Sequence, residues 1–109
     1  MKRGEIWTAA GGADYSGKPR PVVIVQDERF DATRSITICA FTTTDIDAQD
    51  ARVSIAPSAT NGLKEHSSLM VDKITTIPRA KLGYLIGQLD RHDLDRVNRV
   101  LLVFLGLGA

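Results

Sequence analysis

The chain has 109 residues, of which 43% are hydrophobic and 25% are charged, and its formal net charge at pH 7 is +1. These values predict one domain over residues 1–109, and they exclude a disordered chain or a strongly basic coat protein for nucleic acid. The single cysteine, Cys39, excludes an intramolecular disulfide and a zinc site made of several cysteines.

The first half of the chain has the pattern of strands separated by polar segments. Gly4 to Ala10 is strand-like, and Gly11 to Pro21 is a loop rich in glycine, proline, aspartate and serine. Pro21 to Val25 is β-branched and apolar on both faces, which predicts a central strand buried on two sides. Ser35 to Thr42 and Arg52 to Ala56 predict two further strands.

The next segment continues the strand pattern after a longer connection. Residues Pro57 to Glu65 form a turn-rich connection, and Ser67 to Ile77 has the pattern of one long strand that Pro78 closes. Tyr84 to Gly87 predicts a short last strand.

The C-terminal segment changes to helical spacing. Apolar residues recur there at three- and four-residue steps, at Leu94, Val97, Leu101 and Phe104. Asp90 is the predicted N-cap of this amphipathic helix, and Gly106 is able to end it. Five or six short strands followed by one helix predict an α+β, sheet-dominated fold, with a bent antiparallel sheet or partly open barrel covered on one side.

Signals for targeting and membrane insertion are weak in this chain. The N-terminus lacks the apolar stretch of a signal peptide, and the longest apolar run, Val100 to Leu105, is much too short to span a bilayer. We therefore expect a cytoplasmic protein that makes no contact with a membrane.

Several short motifs resemble the MazF/PemK family of toxins. Lys2 to Trp7 (KRGEIW) and Gly17 to Gln26 (GKPRPVVIVQ) resemble the opening of that family, and Cys39 to Thr42 (CAFT) resembles the strand whose terminal Thr or Ser completes its site. Ser68 to Ile77 (SLMVDKITTI) and Leu85 to Leu89 (LIGQL) resemble two later blocks. The resemblance covers essentially the whole chain.

The resemblance implies a fold, an activity and partners. The fold would be a small SH3-like antiparallel β-barrel with a C-terminal helix, shared with the CcdB toxins, in a homodimer. The activity would be sequence-specific cleavage of single-stranded mRNA through its 2′-OH, without metal or cofactor, which leaves 2′,3′-cyclic phosphate and 5′-OH ends and inhibits translation and growth. A cognate antitoxin, encoded next to the toxin, would hold it in check. Because fold does not determine activity, two alternatives remain: a CcdB-like, non-enzymatic gyrase poison, and an SH3-like module that binds RNA or a partner without catalysis.

Arg20 and Thr42 are the candidate catalytic residues, since they match the catalytic positions of the family. Arg20 stands between Pro19 and Pro21, which stiffen the backbone, and its permanently charged guanidinium can present a fork of donors to phosphate oxygens. Thr42 ends an apolar strand just before a polar loop, so its hydroxyl is able to donate to a phosphate oxygen. The adjacent Thr43 and Thr44 are rivals for this role.

The motifs do not identify the general base that would take the proton from the 2′-OH. Many family members carry a Glu before the Gly-x-Arg-Pro segment, whereas this chain has Ala13 to Gly17 (ADYSG) there, so that Asp14 is the nearest carboxylate. Asp14 is either a catalytic group or a residue of a turn or salt bridge. Tyr15 is near Lys18 and Arg20 in the sequence, and an aromatic ring beside cations is able to stack on unpaired bases while the cations bind phosphates. The alternative is that Tyr15 anchors the loop.

The two histidines are the other candidates for acid–base chemistry, because His titrates near neutrality. His66 and His92 lie in a turn and at a helix start, and neither belongs to the family's motifs, so we expect both on the surface.

Overall fold

The structure is a computed structural model that describes residues 1–10, 18–44 and 49–108. Within these ranges the chain forms seven strands, four short 3-10 turns and one α-helix. In chain order they are β1 Glu5–Ala9, β2 Arg20–Ile24, β3 Ser35–Thr42, β4 Arg52–Ile55, β5 Ser67–Met70, β6 Thr75–Pro78, β7 Leu82–Gln88 and α1 Arg91–Phe104. The sheet-dominated α+β class is therefore confirmed.

Strand β2 lies in the middle of an antiparallel sheet. The strand order is β4-β5-β3-β2-β1-β7, and β6 pairs with β3 outside this path. Val23 faces one hydrophobic cluster, while Val22 and Ile24 face a second one on the opposite side. The prediction of a central strand buried on both faces is confirmed, and the strand begins at Arg20, one residue earlier than predicted.

The prediction of one long strand over Ser67 to Ile77 is wrong, because this segment bends at Val71–Lys73 into β5 and β6. Strand β5 pairs with Phe41 and Thr42 at one end of β3, and β6 pairs with residues 35–38 at the other end. The chain has to turn between these two partners. At the turn Val71 is fully buried.

The C-terminal helix was predicted correctly. A side-chain oxygen of Asp90 accepts a hydrogen bond from the N–H of Asp93 at 2.8 Å, which satisfies a free donor of the first turn. Val97 and Leu101 are buried against the sheet, and Gly106, with φ +74°, turns the chain after the helix. No helix in the described ranges is long and apolar enough to cross a membrane.

Cys39 belongs to the same core as the helix. Its side chain is fully buried, and burial raises the pKa of its thiol to about 12. In these apolar surroundings it packs as a small hydrophobic residue.

Candidate active site

A groove of about 590 Å³ opens where β2 begins and β3 ends, and both Arg20 and Thr42 line it. The register between the two strands explains why they meet. The last pair of this ladder joins Val22 to Ala40, and Arg20 lies two residues before Val22 while Thr42 lies two residues after Ala40. Continued by two residues, the antiparallel register sets Arg20 opposite Thr42.

The remaining lining is part apolar and part polar. It consists of Thr8, Pro19, Pro21, Phe41, Thr43, Thr44, Gly62, Leu63, Lys64, Glu65, Ser67 and Ile86. A cation and hydroxyl groups beside apolar side chains suit a ligand that has both a phosphate and a flat aromatic ring.

Arg20 is the first residue of β2, where it pairs with Ala9 of β1. Its side chain is exposed to the groove, and the flanking Pro19 and Pro21 line the groove as well. Since each proline fixes its own φ near −65°, the guanidinium projects from a backbone with little freedom. This is the arrangement that the sequence predicted.

Thr42 is the last residue of β3 and is half-buried opposite Ser68 of β5. The Thr44 N–H donates a hydrogen bond to Thr42 Oγ1 at 3.1 Å. Because the oxygen accepts this bond, the hydroxyl hydrogen is available to donate to a ligand in the groove. Thr43 and Thr44 also line the groove, so the register of the catalytic threonine stays a prediction.

The other three predicted site residues are not brought together with this pair. Asp14 and Tyr15 lie outside the described residues. Lys18 is exposed just before Pro19 and is not among the residues that line the groove. The roles assigned to all three remain predictions.

One wall of the groove, which the connection between β4 and β5 supplies, is not evident from the sequence. Leu63, Lys64 and Glu65 line the groove from this side. Within the described ranges, the Lys64 and Glu65 side chains make no hydrogen bond or ion pair and are exposed to solvent. The turn-rich composition of Pro57 to Glu65 predicted a connection, but it carried no sign that this connection lines the same groove as β2 and β3.

In the part of the chain that the structure describes, the histidines and the acidic residues do not form a metal site. His66 and His92 are both exposed, as predicted, and neither lines the groove. His66 Nε2 lies 3.0 Å from Ser54 Oγ. Among the residues that the structure describes, no three His, Cys, Asp or Glu side chains form a group that could hold a metal ion.

Comparison with known proteins gives concordant matches. The sequence matches a family described as PemK-like, MazF-like toxin of type II toxin-antitoxin system over residues 2–105. A curated protein of Mycolicibacterium smegmatis, named a probable endoribonuclease MazF, is 53% identical over 109 residues, which cover 100% of both chains.

Solved structures agree with the sequence match. The Mycobacterium tuberculosis toxin MazF-mt6 has a TM-score of 0.79 at 27% identity, over 96% of this chain and 99% of that chain. A mycobacterial endoribonuclease in complex with its cognate antitoxin has a TM-score of 0.82 at 23% identity, over 100% of this chain and 98% of that chain. The second likeness shows a shared fold.

Proposed function

The chain belongs to the PemK-like, MazF-like family of toxins of type II toxin-antitoxin systems, and we propose from this membership that it is an endoribonuclease that cleaves single-stranded RNA. The observation that carries the proposal is the groove in which Arg20 and Thr42 come together. The substrate is mRNA, and its cleavage stops translation and growth.

RNA supplies its own nucleophile, so this chemistry requires few groups from the protein. The 2′-OH loses its proton and attacks the adjacent phosphorus, the bond to the 5′-oxygen breaks, and that oxygen takes up a proton. Arg20 keeps its charge and neutralises the charge that develops on the phosphate oxygens, and Thr42 donates a hydrogen bond to one of these oxygens. The proton that the 5′-oxygen takes up comes from water. The products are a 2′,3′-cyclic phosphate and a 5′-OH. Asp14 stays a candidate for the general base, with Tyr15 and Lys18 as candidate contacts to the substrate.

Family membership also bears on partners and assembly. We expect a cognate antitoxin encoded next to this gene, a homodimer, one domain over residues 1–109, and action in the cytoplasm, where mRNA is located. Exposed apolar side chains near the C-terminus support the homodimer, because a second copy would cover them. These are Leu102, Val103, Phe104, Leu105 and Leu107, each between 44% and 72% exposed.

The proposal is tested by incubating the purified protein with a long RNA in EDTA and mapping the new 5′ ends. We expect cleavage at a short recurring sequence, 5′-OH ends, and a rate that falls at least about 100-fold in Arg20→Ala. The control is Arg34→Ala, since Arg34 is exposed and does not line the groove.

Absence of cleavage by the wild-type protein, or cleavage that Arg20→Ala leaves undiminished, would overturn the proposal. Inhibition of DNA gyrase by a protein that leaves RNA intact would support the CcdB-like alternative instead.

A further inference from the structure

The connection between β4 and β5 contains a turn organised by one buried amide. Asn61 is 2% exposed, and its Oδ1 accepts hydrogen bonds from the N–H groups of Ser58 at 3.0 Å and Leu63 at 2.9 Å. Its Nδ2 donates to the carbonyl oxygen of Ala56 at 2.8 Å, and its own N–H donates to Ser58 Oγ at 3.1 Å. One side chain therefore fixes the backbone at three points of the turn.

This turn is packed against β7 without space for another side chain. Gly62 has φ +69°, and a Cβ there would lie 2.7 Å from both Cγ2 and the carbonyl oxygen of Ile86. A Cβ on Gly87 would lie 2.5 Å from the carbonyl oxygen of Thr60, which also accepts a hydrogen bond from the Gln88 N–H at 3.1 Å. Because the backbones of the turn and of β7 are in direct contact, the position of the turn relative to the sheet is fixed.

The three groove-lining residues that follow the turn are held at both ends. Asn61 fixes Leu63 on the N-terminal side. On the C-terminal side, the hydroxyl of Ser67, which is 7% exposed, donates to the carbonyl oxygen of Glu65 at 3.0 Å. Lys64 lies between these two fixed points, so its backbone has a defined position in the groove that Arg20 and Thr42 also line.

We propose that Lys64 binds a phosphate of the RNA next to the one that reacts, and that Asn61 is a positioning residue that holds Lys64 there. This inference rests on the proposed RNase function. An exposed ammonium without a partner in the described ranges is a point charge suited to one backbone phosphate, independent of the base. Because neither residue contacts the reacting atoms, both act on binding of the RNA and not on the rate of bond cleavage.

The test is steady-state cleavage of a short fluorogenic RNA that contains one mapped cleavage sequence. We expect Lys64→Ala to raise KM roughly tenfold with kcat near the wild-type value, since it removes an interaction with a charged group that is equal in ground and transition states. Its KM should also depend less on salt, because one phosphate contact is lost. The matched control is Lys81→Ala, an exposed lysine that does not line the groove.

The positioning role of Asn61 is tested by a double-mutant cycle. Asn61→Ala should raise KM with kcat retained, and Asn61→Ala combined with Lys64→Ala should raise KM no further than Lys64→Ala alone. Thermal unfolding shows whether Asn61→Ala is folded at the assay temperature. Lys64→Ala changes an exposed side chain, and it keeps the inference testable if Asn61→Ala does not fold.

Three results would overturn the inference: an unchanged KM in Lys64→Ala, effects of the two substitutions that add in full, or a loss of kcat in either variant. In each case the KM or kcat of the variant is compared with the value for the wild-type protein. A wild-type protein that does not cleave RNA would refute the proposed function itself, and the inference with it.

Discussion

At the level of single residues, the role proposed for Thr42 depends on a hydrogen bond from its own loop. The Thr44 N–H occupies one lone pair of Thr42 Oγ1 and thereby directs the hydroxyl. Arg20 owes its direction to the rigid backbone between two prolines, a feature already present in the sequence. The loop contact of Thr42 depends on the path of the chain after β3, which the residue types do not reveal.

We expect Thr42→Val to lower the single-turnover cleavage rate by about 10² to 10³-fold, because the shape is kept and one hydrogen-bond donor to the developing charge is lost. Thr42→Ser should retain most of the rate. Thr43→Val is the control for register, since Thr43 also lines the groove. If Thr43→Val lowers the cleavage rate more than Thr42→Val does, the catalytic threonine is Thr43 and not Thr42.

At the level of elements, strand β3 organises the molecule, because β2, β5 and β6 all pair with it. The strand patterns and the terminal helix were predictable, since periodicity and capping are local signals. The bend between β5 and β6 was not, because both halves favour strands and the bend follows from partners at opposite ends of β3. Asp72 reinforces this bend by accepting hydrogen bonds from Arg52 of β4 at 3.1 and 3.3 Å.

The Arg52 contact makes a contribution to stability that depends on pH. The side-chain hydrogen bond from Arg52 holds the pKa of Asp72 below its ordinary value, which is about 3.9. A carboxyl group with a lowered pKa in the folded state stabilises the fold above the pKa of the unfolded chain. This stabilisation is lost as the pH falls from about 4 through the folded-state pKa.

We therefore expect Asp72→Asn to lower the midpoint of urea unfolding at pH 7, and to lower it by less at pH 3. The control is Asp50→Asn, because Asp50 is exposed and makes no ion pair within the described ranges. If Asp72→Asn lowers the midpoint of urea unfolding by the same amount at both pH values, the Arg52 contact does not stabilise the fold through the charge of Asp72.

At the level of the whole molecule, the candidate site is made from three segments that lie far apart in the sequence. The start of β2 and the end of β3 supply Arg20 and Thr42, and both were found through the family resemblance. The third segment, with Lys64 and Glu65, was not found, because its position depends on backbone contacts between residues 60–62 and β7. A motif identifies residues by their type and spacing. A groove wall that is formed by tertiary packing is recognised only when the fold is known.

In the proposed reaction this groove cleaves RNA through the 2′-OH of the substrate. The most direct measurement compares an all-ribose oligonucleotide containing the mapped cleavage sequence with one that has a single 2′-deoxy nucleotide at the cleaved position. We expect the all-ribose strand to be cut to a 2′,3′-cyclic phosphate, and the 2′-deoxy strand to bind without being cut. Cleavage of both strands at the same rate would contradict it.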